Sequence, residues 1–152
     1  MKTKKYDSRS VVADMIDGCA GAAGRTEAVR GIRALCKYFG GQYIYIPVHK
    51  ANGKTTEELR NVLRDAAGEQ AGALILEKLM ALFEGVSVYI PQEKKAFHRL
   101  IAQEIYDRYD GIGNTIGDFC REYGMSFNTV YKLYHEGRDE KLQGKFEFTE
   151  EQ

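Results

Sequence analysis

No stretch of this chain approaches the ~18 consecutive apolar residues that a membrane-crossing helix needs. Asp14 and Asp17 interrupt the segment after Met1-Lys2-Thr3-Lys4-Lys5, so it offers no signal-peptide core. A cytoplasmic protein without membrane contact is expected. Cysteine is scarce: Cys19, Cys36 and Cys120 are odd in number, far apart and without C-x-x-C spacing. They read as reduced, mostly buried thiols. The histidines His49, His98 and His135 stand alone, which leaves no set of metal ligands. No glycine-rich phosphate cradle occurs, and the carboxylate pairs Asp107/Asp110 and Asp139/Glu140 have no histidine or cysteine organised beside them. These absences lead to the expectation of no metal, no cofactor and no enzymatic activity.

Net charge is also missing, because 22 basic residues balance 22 acidic ones. The balance is uneven along the chain. Residues 1–50 hold nine Lys/Arg against four Asp/Glu, residues 51–100 seven against seven, and residues 101–152 six against eleven. What remains is ordinary globular material, 43% hydrophobic over 152 residues, enough for one domain or two small ones sharing a core.

Proline occurs twice, and both copies mark a repeat. Phe39-Gly40-Gly41-Gln42-Tyr43-Ile44-Tyr45-Ile46-Pro47 returns 44 residues later as Phe83-Glu84-Gly85-Val86-Ser87-Val88-Tyr89-Ile90-Pro91. Each copy follows an amphipathic helix, over 26–39 and 69–83, and precedes another. Glycine ends the helix, β-branched and aromatic residues alternate, and proline stops the strand. A five-residue strand cannot satisfy its own backbone. The two copies therefore pair antiparallel within one chain, or equivalent strands pair across a dimer two-fold. In both arrangements Ile44, Ile46, Val88 and Ile90 face the helical core, and Tyr43, Tyr45, Ser87 and Tyr89 line the wetter face. Tyrosines on a sheet face more often pack than bind. Gln42, Tyr45 and Tyr89, with Lys94 and Lys95 beyond the second strand, are carried as secondary DNA contacts.

Three more helices are expected in this part: 8–18, a short one opened by a capping-box signal at Thr55-Thr56-Glu57-Glu58, and 93–109. Asp110-Gly111-Ile112-Gly113 then breaks the chain. The segment 114–133 reads as a helix-turn-helix. Ile116, Phe119, Cys120 and Tyr123 are apolar at helical spacing. Gly124 stands where the turn favours φ > 0, and Ser126 is placed to cap the second helix. Val130 and Leu133 face back onto the first helix, so Phe127, Asn128, Thr129, Tyr131, Lys132 and His135 are left outside. Asn128 and Lys132, four apart, project together. Asn can read adenine, Lys can reach guanine or phosphate, and the Thr129 methyl can meet thymine. A merely solvated helix would more usually carry Glu and Lys there. Phosphate contacts are expected at Asn114, Thr115 and Ser126, assisted by Lys2, Lys4, Lys5, Arg9, Lys94, Lys95, Arg99, Lys141 and Lys145.

The strand Val86-Ser87-Val88-Tyr89-Ile90-Pro91, a following helix, the Asp110-Gly111 break and the run Tyr123-Gly124-Met125-Ser126-Phe127-Asn128-Thr129-Val130-Tyr131-Lys132 resemble the Mor/C transcription activators of Mu-like phages. The resemblance covers about residues 69–136. It implies a dimeric activator of prophage or mobile-element genes, with an intertwined helix-and-strand region and a recognition helix over 126–136. It also implies binding to a dyad site on double-stranded DNA and recruitment of RNA polymerase subunits. Two features depart from the family pattern. The acidic residues Glu136, Asp139 and Glu140 stand where family members carry a basic extension, and the 39–47 copy is additional. That copy leaves open a homodimer with two heads or a monomer whose repeat closes on itself.

The resulting expectation is a mainly α protein with one or two short strands. Residues 1–92 form a helix/strand core and dimerisation region containing the repeat 39–47/83–91. Residues 93–137 form the helix-turn-helix DNA-binding domain, and residues 138–152 an exposed, partly disordered acidic tail. The alternative function is a protein-interaction module whose helix-turn-helix is structural.

Overall fold

The computed structural model describes residues 8–48 and 53–150, with side chains described for 11–48 and 53–143. Apolar residues at helical spacing wind most of these residues into eight helices, and one antiparallel pair of strands completes the described structure. The chain divides into two compact units, Met1–Ala96 and Phe97–Gln152.

The first unit contains α1 (Ser8–Ala23), α2 (Arg25–Phe39), β1 (Gln42–Tyr45), α3 (Lys54–Ala67), α4 (Glu69–Phe83), β2 (Ser87–Ile90) and the short α5 (Glu93–Ala96). α1 packs on α2 and α4, and α3 packs on the same two helices. Their facing side chains form the core, with Ile32, Leu59, Leu63, Ile75 and Leu79 fully buried. β1 and β2 pair with each other inside the chain, in the register Gln42↔Ile90, Tyr43↔Tyr89, Ile44↔Val88 and Tyr45↔Ser87. The alternation sorts their side chains by face. Ile44, Ile46, Val88 and Ile90 turn inward, whereas Tyr43, Tyr45 and Tyr89 remain exposed, with Tyr43 and Tyr89 meeting edge to face at 5.2 Å.

Several boundaries differ from the sequence expectation. α1 runs past residue 18 to Ala23, because its buried face continues through Cys19. α3 has Gly53 as its N-cap and no side-chain cap. The expected capping box does not form, because Thr56 lies inside the helix and is drawn into the core. The single helix expected over 93–109 is two, α5 and α6 (His98–Arg108), separated at Phe97 with φ −114° and ψ 27°. α5 packs on α2, with Glu93 and Arg33 3.8 Å apart, whereas α6 belongs to the second unit. The break falls where the chain leaves one unit for the other. Leu82, near the end of α4, is exposed although it is apolar.

In the second unit, α6 packs on α8 (Phe127–Glu150), and α7 (Ile116–Tyr123) packs on the start of α8. Phe97, Ile101, Ala102, Ile105, Phe119, Val130 and Leu133 are its buried hydrophobic side chains among the described residues. Residues 138–150, expected as a partly disordered tail, continue α8. Ion pairs to α6 account for part of that continuation, since Glu140 meets Arg99 and Lys141 meets Asp107. Among the described residues no helix is long and apolar enough to cross a membrane.

Thr56 supplies a test of this core. Its hydroxyl is buried and has no hydrogen-bond partner among the described residues. Thr56→Val keeps the shape and removes the stranded hydroxyl, which costs roughly 1–3 kcal/mol when buried unsatisfied. The variant is expected to unfold at higher denaturant concentration, with an unchanged slope.

Candidate nucleic-acid interface

Two capped turns set the geometry of α7 and α8. The chain leaves α6 by wrapping around the Asp110 carboxylate, whose Oδ1 accepts N–H bonds from Ile112, Gly113 and Asn114 at 2.9, 2.9 and 2.8 Å. Those bonds, led by that from Asn114, hold the Asp110 carboxyl below its ordinary range. Thr115 then caps α7 in a reciprocal box. Its hydroxyl accepts from the Asp118 N–H at 3.2 Å, while Asp118 Oδ2 accepts from the Thr115 N–H at 3.0 Å and from its hydroxyl at 2.8 Å. Arg121 adds a 2.6 Å ion pair to the same carboxylate. The backbone bond from Thr115, then its hydroxyl, then Arg121 hold Asp118 at a pKa of about 2.

α7 ends at Gly124, which is left-handed at φ 63° and ψ 42°. A side chain there would be strained, so the glycine is what lets the chain reverse so tightly. The N–H groups of Gly124 and Met125 both turn back to the Cys120 carbonyl. Ser126 caps α8, its hydroxyl accepting from the Thr129 N–H at 3.2 Å and lying 2.8 Å from the Thr129 hydroxyl.

With Val130 and Leu133 buried, Phe127, Asn128, Thr129, Tyr131 and Lys132 are exposed on α8. Phe127 and Tyr131 lie nearly parallel at 6.2 Å, and Tyr131 meets the half-buried His135 edge-on at 4.4 Å. The result is an open aromatic stripe beside Asn128 and Lys132. The cations around it are otherwise engaged. Arg108 holds Glu122 with two bonds of 2.8 and 2.9 Å, Arg121 holds Asp118, Arg138 lies 3.5 Å from Asp139, and Arg99 and Lys141 pair with Glu140 and Asp107. Lys132 is the one cation of this unit without a carboxylate partner among the described side chains.

The sites named from sequence are thus divided. Ser126, Phe127, Asn128, Thr129, Tyr131, Lys132 and His135 share the first turns of α8, but the hydroxyls of Ser126 and Thr129 are occupied with each other. Asn114 and Thr115 lie at the start of α7, where Asp118 answers the free N–H groups with a carboxylate. Gln42, Tyr45 and Tyr89 are exposed on the sheet, and Lys94 and Lys95 on α5, all in the other unit. Lys2, Lys4 and Lys5 lie outside the described residues, as do the side chains of Arg9 and Lys145.

Sequence reasoning missed Asp118, although the spacing Thr115-x-x-Asp118 is a capping signal. It also missed the network joining α6 to α7, in which Arg108 holds Glu122 and lies over the Phe119 ring at 5.2 Å. The Tyr123 hydroxyl donates to Glu104 at 2.9 Å, and burial followed by that bond pushes its pKa up to about 12. These partners are 11 to 19 residues apart, so no local pattern announces them.

A short helix, a left-handed glycine and a capped second helix with an open outer face thus follow one another in the second unit. The family follows from residues 49–145, which match the Mor transcription activator family; the chain belongs to that family. It is a family of transcription activators, not of enzymes. No curated protein and no solved structure gives a significant match to the chain.

Two outcomes test the geometry. A Cβ at Gly137 would lie 2.3 Å from the Ala102 carbonyl oxygen, so Gly137→Ala must push α8 off α6. A loss of roughly 1–3 kcal/mol in unfolding free energy is expected, as for other overpacked sites. Asp118 sets a pH dependence. Because its folded pKa of about 2 lies below the ordinary 3.8, its stabilisation is present above pH 3.8 and is lost as pH falls towards 2. The stability difference between the protein and Asp118→Asn should hold steady near neutrality and shrink across that acid window. A difference that grows on acidification contradicts the assignment.

Proposed function

We propose that α7 and α8 form a helix-turn-helix and that the first turns of α8 read double-stranded DNA in the major groove. The observation that carries this reading is the outer face of α8, where Asn128 and Lys132 are exposed and Lys132 lacks a carboxylate partner among the described side chains. The tight Gly124 turn and the Ser126 cap hold that face outward. Asn128 would pair with a base edge and Lys132 with guanine or phosphate, while Phe127 and the Thr129 methyl meet thymine methyl groups. Membership of the Mor transcription activator family supports a role in switching on genes, and the resemblance to phage activators supports prophage or mobile-element targets and contact with RNA polymerase. The exposed Gln42, Tyr45 and Tyr89 of the sheet, with Lys94 and Lys95, form a second region for DNA contact.

A specific observation favours one other reading. So many cations of the second unit are tied to carboxylates that few remain for phosphates, which suits a protein-docking role. Salt separates the two, because phosphate contacts release counterions and protein docking does not.

Asn128→Ala is expected to lose roughly 1–3 kcal/mol on cognate duplex and almost nothing on scrambled duplex. Lys132→Ala should weaken both and flatten the salt dependence. Gel shifts across a salt series provide the measurement, and equal losses on both duplexes for Asn128→Ala would sink the base-reading role. No shift at low salt would favour the docking role.

A further inference from the structure

The nine-residue repeat is the visible part of a duplication that runs through most of the first unit. α2 (Arg25–Phe39) and α4 (Glu69–Phe83) begin and end 44 residues apart. All five buried positions of α2 (28, 31, 32, 35 and 36) return 44 residues later as the buried positions of α4. In the preceding helices, buried Val12, Met15 and Cys19 correspond to buried Thr56, Leu59 and Leu63. The connecting glycines repeat as well: Gly24 and Gly68 have φ 92° and 95°, Gly41 and Gly85 have φ 82° and 71°.

The strand pairing shows how the two copies meet. In the ladder Ile44 faces Val88, its own counterpart in the repeat, so the register is centred on a local two-fold. The flanking bonds obey the same symmetry. The Gly41 N–H donates to the Ile90 carbonyl at 2.7 Å, and the Gly85 N–H donates to the Ile46 carbonyl at 2.9 Å. The helices exchange partners across it, with α1 on α4 and α2 on α3. This is the arrangement expected of a symmetric dimer of a helix–helix–strand unit, in which each patch meets its own equivalent. Here both halves are in one chain. The stretch that matches the activator family, residues 49–145, holds one helix–helix–strand copy and the α7–α8 unit, and the other copy precedes it.

We propose that the first unit is a dimerisation platform closed within a single chain, so that the protein is a monomer with one α7–α8 head per platform. The apolar strand faces that would otherwise call for a second molecule are already covered, since Ile44, Ile46, Val88 and Ile90 are buried within the chain. Description of α7–α8 as a DNA-reading head rests on the function proposed above; closure of the platform does not.

The test uses Tyr43 and Tyr89, which face each other across the ladder on its exposed side. Cross-strand partners lie within the Cα separation that a disulfide spans. Tyr43→Cys/Tyr89→Cys on mild oxidation is expected to form a bond within one chain, giving a faster-migrating band on non-reducing gels that each single variant lacks. Light scattering of the unaltered protein is expected to give 17.2 kDa at every concentration. A doubled mass, or an oxidised band joining two chains, overturns the proposal. Neither readout involves DNA, so loss of the DNA-binding reading would leave both results standing.

Discussion

The pairing of β1 with β2 is the constraint on which the first unit depends. Each strand is four residues long, too short to stand alone, and each is flanked by helices that need a surface to close on. Pairing them satisfies both backbones and creates a single apolar face from Ile44, Ile46, Val88 and Ile90. The hydrogen bonds at its two ends come from glycines in the left-handed region, so the turns out of α2 and α4 and the ladder itself are one construction. A polar substitution at Ile46 or Ile90 would remove sheet and helix packing together.

The second unit is organised differently. Its core is small, and polar contacts at its edges do much of the positioning. Gly137 lets α8 approach the backbone of α6, and His98–Glu136 at 2.6 Å, Arg99–Glu140 and Asp107–Lys141 run along the same seam. Exposed ion pairs each contribute little. Two ion pairs and the His98–Glu136 hydrogen bond share this seam, and they engage Arg99 and Lys141 with carboxylates. The unit keeps an acidic excess, with seven Lys/Arg against eleven Asp/Glu over residues 97–152.

Much of this was legible in the sequence because the patterns are local. The extent of α4, the glycine stops, the alternation of the strands and the Gly124 turn followed from periodicity and from what only glycine tolerates. The capping box at Thr55–Glu58 was misread because the same residue types serve as core when the helix starts earlier; only burial of Thr56 decides between them. The break at Phe97 carries no glycine or proline and coincides with the boundary between the two units. The length of the last helix was hidden because its holding contacts come from α6, some 34 to 41 residues away. On the candidate interface, exposure of the α8 face followed from spacing, and the Thr115-x-x-Asp118 spacing carried the capping box that was overlooked.

Because the two helix–helix–strand copies are joined in one chain, a substitution in either is felt once. A two-fold homodimer lacks that freedom, since every change appears twice and must suit both places. Here the copies share backbone and core spacing while their surfaces have diverged: Gln42 answers to Val86, and Tyr43 to Ser87. Symmetry of the scaffold and asymmetry of the surface can thus evolve separately, and the exposed sheet can be tuned one residue at a time.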